Sequence, residues 1–328
     1  MYHCSKTAAL KRQERRAVTK AEAIALENGN APLSEGSQQL SVDMRRALGR
    51  ARDCQHRGAG LIYTIVPSKA LGLTLDSVVF SDSIAVRYNT PTLHAASEIC
   101  TADKCHEAGT LEHVLTCPYG SNIIDRHNAP INTIQEIALT VLGDTHNKKG
   151  WVKREPIIRT EAEAAALNAN LGPGIRRATA LKGDLSIKKI VQQGSGILII
   201  DGRCTYPDGQ TARTKPVQLL LEEQEREKRG KHQAACSVKH MAFLPVVWTT
   251  CGAKGNSFMK LVNMLSERLS EKWNRPKGRC KAWINARLAI SIAKATSACI
   301  RNVRGSLSDE PGKPNALRYS MGRRLRGG

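Results

Sequence analysis

The sequence predicts a mixed α/β (α+β) fold, with a helical N-terminal region, a small Cys/His cluster and a C-terminal domain of alternating strands and helices. The first observation is a series of β-rich segments at 184–191, 197–201 and 243–249, with helical patterns between and after them. The second is a group of four closely spaced Cys and His residues within 100–117. The third is composition: aromatic residues make up only 4% of the 328 residues, so the core must rest on aliphatic side chains.

The chain divides by composition into five parts. Apolar residues recur among charged ones near the N-terminus, which predicts a basic amphipathic helix, and a Gly- and Ser-containing stretch then predicts a linker. The C-terminal end is rich in Gly, Ser and Pro, which is typical of a segment that stays disordered until it meets a partner. The predicted parts are a basic helix and linker at 1–40, a mostly helical region at 41–99, the Cys/His cluster at 100–120, the main domain at 121–302 and a basic tail at 303–328.

Helical patterns surround the three predicted strands. Ile residues recur at roughly helical spacing after the Cys/His cluster, and the helix after the second strand has a Pro near its first turn, where Pro is tolerated. The QQGSG sequence between the first two strands predicts a turn and hence a hairpin. The predicted helices are 76–89, 121–142, 215–233, 256–273 and 278–301.

The charge of the chain points to a polyanionic partner. Its formal net charge is +21, and such an excess opposes compaction unless a polyanion neutralises it. Nucleic acid, DNA and RNA alike, is the expected partner, and a membrane surface is the alternative. We expect no secretory signal and no transmembrane helix, because the N-terminus is polar and no apolar run reaches about 18 residues. The expected location is nuclear, or cytoplasmic before import.

The Cys/His cluster has the spacing of a zinc knuckle. Cys100, Cys105, His113 and Cys117 supply four ligands within 18 residues, which suits tetrahedral Zn²⁺ with no open position for water. A short helical turn would carry His113 and Cys117 together, so His113 is preferred over the neighbouring His106. The zinc is therefore expected to be structural. The alternative is three buried free cysteines and an incidental histidine.

The order of motifs after this cluster resembles a known family. CTADKCHEAGTLEHVLTCP is followed by RHN, then by WVKREP, then by a strand pair ending in LIIDGRCTYPD, and NARLAISIAKATSACIRN comes last. This order is similar to the C-terminal region of site-specific non-LTR retrotransposon proteins of the restriction-like endonuclease type. The resemblance covers about residues 40–302 and implies a zinc knuckle followed by an endonuclease domain of the PD-(D/E)xK fold.

The resemblance implies a chain that binds nucleic acid and nicks target DNA to prime reverse transcription. We find no Tyr/Phe-x-Asp-Asp motif, so the polymerase active site is absent and a reverse transcriptase domain is expected elsewhere. The chain would then be a C-terminal piece of the element's protein, or a truncated copy. The alternative is a catalytically decayed nucleic-acid-binding module, and whether the chain is an enzyme stays open.

Two aspartates are the candidate magnesium ligands. Asp184 begins the first strand and Asp201 ends the second, and the hairpin between them could bring both carboxylates to one edge. Mg²⁺ prefers carboxylate oxygens and supports phosphodiester hydrolysis. Taken without the neighbouring motifs, the two residues could equally be a strand-edge cap and a turn residue.

The family also implies a catalytic lysine on the helix after the second strand, near a tyrosine. Lys228 is the first candidate and Lys231 the second, and His232 stands where the family has tyrosine. In the simplest form of the fold the lysine would stand at Arg203. The family's Pro before the first Asp is Gly183 here, a change expected to loosen the backbone without removing a ligand.

Four basic residues are candidates for contact with nucleic acid. Arg126 and His127 belong to the RHN segment, where DNA contact and support of the fold are both open interpretations. Lys153 and Arg154 belong to WVKREP and are expected to contact phosphates.

Overall fold

The computed structural model describes most of the chain between Arg50 and Asn302. The predicted basic helix, the linker and the basic tail lie outside the described residues. The described residues are 50, 53–56, 58–88, 99–100, 105–119, 122–169, 171–172, 177–192, 194–209, 212 and 215–302.

Seven α-helices and six strands make up the described fold. The helices are α1 (Ser77–Tyr88), α2 (Leu111–Thr116), α3 (Asn122–Leu142), α4 (Glu161–Asn168), α5 (Val217–Val238), α6 (Asn256–Trp273) and α7 (Lys277–Asn302). The strands are β1 (Val152–Arg154), β2 (Ile157–Arg159), β3 (Leu181–Lys182), β4 (Leu185–Lys188), β5 (Ile197–Thr205) and β6 (Ala242–Thr249). A single 3-10 turn covers Leu61–Tyr63. None of these helices is both long and apolar enough to cross a bilayer.

The main sheet is mixed, which confirms the predicted α/β class. Its strand order is β1-β4-β5-β6, where β4 pairs antiparallel with both β1 and β5. β5 and β6 are parallel, so the chain must cross over between them, and α5 makes that crossover. β2 and β3 form a separate two-stranded sheet. The three predicted strands correspond to β4, β5 and β6, and the five helices predicted from residue 76 onward are present.

The sheet lies between two helical layers, and the alternation of side chains along β5 decides what faces each layer. Leu198 and Ile200 join the large aliphatic core with α3, α6 and α7. Ile199, between them, packs instead with Cys236 of α5 and Phe243 of β6. Because successive strand residues point to opposite faces, the residue after Ile200 faces the α5 layer. Asp201 is that residue.

The core is mostly aliphatic, as the composition predicts. Ile, Leu and Val side chains from α3, β4, β5, α6 and α7 form one continuous cluster. Two aromatic residues sit at its centre: Trp248 and Phe258 are fully buried, and their rings pack edge to face 6.0 Å apart. Trp248 and Phe258 thus fill the place where β6 meets α6.

Candidate functional site

A short β-bridge places the first two cysteines of the Cys/His cluster. Ile99 and Ala108 form the bridge, and the Cys100 amide donates a 2.8 Å hydrogen bond to the Glu107 carbonyl. This pairing places Cys100 beside the segment that contains Cys105.

Helix α2 supplies the other two ligands, as the spacing predicts. Thr110 caps the helix by accepting a 3.2 Å hydrogen bond from the His113 amide. The Cys117 amide donates to the His113 carbonyl at 2.7 Å, which closes the last turn. His113 and Cys117 therefore lie one helical turn apart on the same face.

The four side chains form a group that could hold a metal such as zinc. The ligand atoms of Cys100, Cys105, His113 and Cys117 all lie within 4.8 Å of one another. The Sγ atoms of Cys100 and Cys117 are 3.8 Å apart, and Cys105 Sγ is 3.3 Å from His113 Nε2. Tetrahedral coordination with Zn–S near 2.3 Å and Zn–N near 2.0 Å requires separations of roughly 3.5–3.8 Å. His106 is exposed and outside the group, so His113 is the histidine ligand.

The cluster is buried against the rest of the protein rather than set apart from it. Its three cysteines are 4–5% exposed and share a packed core with Val86 of α1 and Ile300 of α7. Cys299 Sγ also contacts the Val114 carbonyl at 3.4 Å. A metal here would have four protein ligands and a closed surround, which is the arrangement of a structural site.

Arg126 supports this packing. Its side chain is buried, and Nη1 donates a 2.6 Å hydrogen bond to the Leu115 carbonyl at the end of α2. A side chain held in this way is not presented to a ligand at the surface. Of the two interpretations open for Arg126, the structure therefore favours support of the fold over contact with DNA.

Substitutions at Arg126 and Lys153 are expected to separate stability from binding. Arg126→Met leaves the buried Leu115 carbonyl without its donor, so the free energy of unfolding should fall by about 1–3 kcal/mol. Lys153 is exposed on β1, so Lys153→Met should leave stability unchanged. If Lys153 contacts a phosphate of duplex DNA, the log–log salt slope of binding should become shallower by about 0.9. Denaturant unfolding and a salt titration of DNA binding measure the two effects, and the reverse pattern would contradict both assignments.

Asp184 lies at the start of β4, where this strand separates from β5. Its Oδ2 accepts a 2.6 Å hydrogen bond from the Gly202 amide and contacts Nε2 of His127 at 3.1 Å. The Asp184 amide donates to the Ile200 carbonyl at 2.9 Å. The Asp184 carboxylate is therefore fixed beside the peptide bond that joins Asp201 and Gly202. Its Oδ1 makes no hydrogen bond with the described residues.

Asp201 is approached from helix α5 by two basic side chains. Lys228 Nζ is 2.6 Å from Asp201 Oδ2, and His232 Nε2 is 3.1 Å from the same oxygen. Neither contact is aligned as a hydrogen bond, so buried Oδ2 and both ring nitrogens of His232 lack an aligned partner among the described residues. His232 is fully buried and stacks on Phe243 with ring centroids 5.2 Å apart. The structure thus brings together three of the predicted residues on the α5 side of the sheet.

Electrostatic interactions connect the groups around the two aspartates, because the charge of Lys228 acts on both Asp201 and His127. Burial alone would raise the pKa of Asp201, but His232 and Lys228 outweigh it and hold this pKa below its usual range. Burial alone would lower the pKa of His127, but the hydrogen bond and charge of Asp184 outweigh it and raise this pKa. The charge of Lys228 also acts on His127, in the opposite direction. The site therefore favours an ionised Asp201 and a proton on His127 held by Asp184.

The structure separates Lys228 from the other cation candidates. Lys231 is exposed and is not in contact with Asp201. Arg203 forms an ion pair with Glu227 at 2.5 Å at the surface of α5. Lys228 and His232 lie one turn apart on the buried side of the helix, which is why both reach Asp201.

Gly183 is tightly packed, so the expectation that glycine would loosen the backbone here is wrong. Its amide donates a 3.0 Å hydrogen bond to the Pro156 carbonyl, a bond that proline could not make. A Cβ at this position would come within 2.8 Å of the Ile199 side chain. Glycine is therefore the residue that the packing beside Asp184 requires.

Two residues of the site were not predicted from the sequence. Asn128 Oδ1 accepts a 3.2 Å hydrogen bond from Arg154 Nη2 and lies 3.3 Å from Nδ1 of His127. Arg154 is thereby drawn toward the RHN segment instead of pointing freely to solvent. The other is Gly202, whose amide donates a hydrogen bond to Asp184. A Cβ at this position would lie 3.2 Å from His127 Nε2, so glycine leaves room for the histidine ring. The RHN motif was the available signal for Asn128, whereas no sequence pattern marks a backbone amide.

The donor atoms at this site fit a hard divalent cation. Asp184 Oδ1 makes no hydrogen bond within the described residues, and Asp201 Oδ2 is buried without an aligned one. Carboxylate oxygens are what Mg²⁺ takes from proteins, with water completing the octahedron, and Asp201 Oδ2 would bind the ion in place of its contacts with Lys228 and His232. Within the described residues, a group of three or more His, Cys, Asp or Glu side chains that could share one metal is found at the Cys/His cluster. Asp184 and Asp201 are not part of such a group.

Two comparisons of this chain with known proteins found no match. No protein-family model matches it, and no curated protein matches it in sequence. The interpretation of both sites therefore depends on their own geometry.

Proposed function

We propose that this chain is a Mg²⁺-dependent DNA endonuclease, the C-terminal part of a retrotransposon protein that nicks target DNA to prime reverse transcription. The observation that carries the proposal is the binding of the Asp184 carboxylate to the Gly202 amide, one residue after Asp201, whose own carboxylate contacts Lys228 and His232. The Cys/His cluster, holding zinc, is a structural part of the same protein.

The strand and helix order supports a restriction-like endonuclease domain. A helix, α3, precedes an antiparallel run of strands, β1, β4 and β5, and then α5 leads to a parallel strand, β6. The candidate acids lie at the beginning of β4 and in the middle of β5, and the candidate lysine lies on α5. A lysine on the helix after the second acid-bearing strand is what the resemblance to site-specific non-LTR retrotransposon proteins implies. The prediction that Asp201 ends its strand is wrong, because the pairing of β5 with β6 extends the strand to Thr205.

The residues divide the work of phosphodiester hydrolysis among themselves. Asp184 and Asp201 would hold the magnesium ion, which when bound supplies charge neutralisation at the phosphate and activation of water. Lys228, only partly buried, places its ammonium group beside Asp201, where it can orient a phosphate oxygen or the attacking water. His127 holds a proton against Asp184 and can donate it within the site.

Paired lysine variants on α5 test the role of Lys228. Lys228→Met should lower Mg²⁺-dependent nicking of supercoiled plasmid about a hundredfold, the scale of one lost charge-stabilising donor. Lys231→Met, three residues along the same helix but exposed, should leave the rate within about twofold. Equal rates for the two variants, or nicking by the wild type in the presence of excess EDTA, would contradict the assignment.

One observation favours a second candidate, a nucleic-acid-binding module without catalysis. Asp201 is already in contact with two basic side chains, and His232 stands where the family has tyrosine. This candidate predicts no nicking by the wild type with Mg²⁺ or Mn²⁺ but DNA binding whose affinity falls steeply with salt. Nicking that depends on Lys228 would reject it.

A further inference from the structure

A cleft outside the carboxylate site is lined by none of the residues Asp184, Asp201, Lys228 and His232. The cleft has a volume of about 670 Å³ and lies between the segment that contains the 3-10 turn and the start of α7. Its walls are mainly apolar and include Leu61, Ile65, Leu73, Met259 and Trp283. Small-molecule sites in proteins typically have this size and character.

One charged side chain in the wall of this cleft is buried without a partner. Lys254 is 3% exposed, and its Nζ makes no hydrogen bond with the described residues. Its ammonium nitrogen would lie 3.6 Å from a Cβ at Gly58, another residue of the cleft wall. A buried ammonium group without a hydrogen bond is costly, so such a group calls for an anionic partner.

No acidic side chain of the cleft wall pairs with Lys254. Lys281 of α7 is the other charged residue of the cleft wall, and no acidic residue lines it. Glu225 of α5 comes close to the next residue, Gly255, but its two oxygens accept from the amide and hydroxyl of Ser257 at 2.8 and 2.6 Å. The pKa of Lys254 is lowered to about 8, and burial is its cause.

We propose that this cleft binds an apolar monocarboxylate, with the carboxylate paired to Lys254 and the hydrocarbon part against the apolar walls. Lys254 supplies the charge that selects an acid over an alcohol of the same length. Val66 and Leu71, exposed at the rim, extend the apolar surface that such a ligand would cover. This site is separate from the proposed nuclease site and does not depend on it.

Calorimetric titration of the full chain with decanoate and with decan-1-ol tests the charge selection. The wild type should bind decanoate at least about tenfold more tightly than decanol at pH 7, the scale of a hydrogen bond to a charged group. Lys254→Met keeps the length of the side chain, removes the charge and should make the two affinities equal. Lys281→Met, the matched control in the same wall, should keep most of the preference. Equal affinities of the wild type for acid and alcohol would overturn the proposal.

The pH dependence of decanoate binding provides a test that needs no variant. Lys254 must be protonated to pair with the carboxylate, so decanoate affinity should begin to fall near pH 8, while decanol affinity stays constant. Ordinary exposed lysines lose their proton near pH 10.4. A decanoate affinity that falls only near that higher pH would assign the binding to surface lysines and overturn the proposal.

Discussion

A His113→Asn variant is expected to lose stoichiometric zinc and to unfold at a much lower denaturant concentration than the wild type. Structural zinc contributes on the order of 10–16 kcal/mol to the folding of small knuckle peptides. Here the cluster also forms part of the core that joins α2 to α1 and α7, so its loss removes support from both helices. We expect the free energy of unfolding to fall by several kcal/mol, which elemental analysis and denaturant unfolding can measure side by side.

His106→Asn is the matched control for this prediction. His106 stands next to a cysteine ligand, but it is exposed and outside the cluster, so its replacement should change neither zinc content nor stability. A protein purified without zinc, or equal effects of the two substitutions, would contradict the assignment of His113. Cys280→Ser adds a second control. Cys280 is a buried cysteine of the main core and not part of the Cys/His cluster, so its replacement should leave the zinc content unchanged.

An Asp201→Asn variant is expected to lose at least about a thousandfold in Mg²⁺-dependent nicking, because the amide is a poor ligand for a hard cation and carries no charge. Its effect on stability should depend on pH. Since the pKa of Asp201 is lowered in the folded protein, its ionised form stabilises the fold above the ordinary carboxyl range. That contribution is lost as the pH falls through the lowered pKa, so wild type and variant should converge in stability in acid and differ at pH 7.

Asp208→Asn is the control for this second prediction. Asp208 forms an ion pair with Arg50 at 2.8 Å and is partly buried, but it lies outside the carboxylate site. Its replacement should leave nicking unchanged. If Asp201→Asn retained nicking, or if Asp208→Asn abolished it equally, the endonuclease proposal would fail while the zinc and cleft assignments would stand.

The sequence predicts the main domain well because its elements carry strong local patterns. The helices at 256–273 and 278–301 are long and amphipathic, and the structure matches them almost to the residue. β1, β2 and β3 are two or three residues long, too short to show a periodicity, and were not predicted as strands. Their existence depends on pairing with β4 and with each other, a tertiary effect that no local pattern records.

The sequence identifies the side chains of the candidate sites, but not the surroundings that hold them in place. Three cysteines and one histidine at knuckle spacing predict a metal site, and the structure confirms that these four side chains lie together. The RHN segment identified Arg126 as a candidate but did not show that its side chain points into the protein. That burial against Leu115 depends on where α2 packs. Lys254 carried no signal at all, since a single lysine after a strand resembles any solvated loop residue until the cleft around it is seen.

The packing of the Cys/His cluster against α7 has a consequence for synthesis of the protein. The ligands come from residues 100–117, yet Cys299 and Ile300, almost two hundred residues later, complete the core around them. During translation these four side chains emerge long before α7 does, so a metal ion that the cluster could hold would reach it while the sulfur atoms are still open to solvent. When α7 leaves the ribosome it packs against the cluster and covers it. This order of events favours early binding and slow later exchange of such an ion.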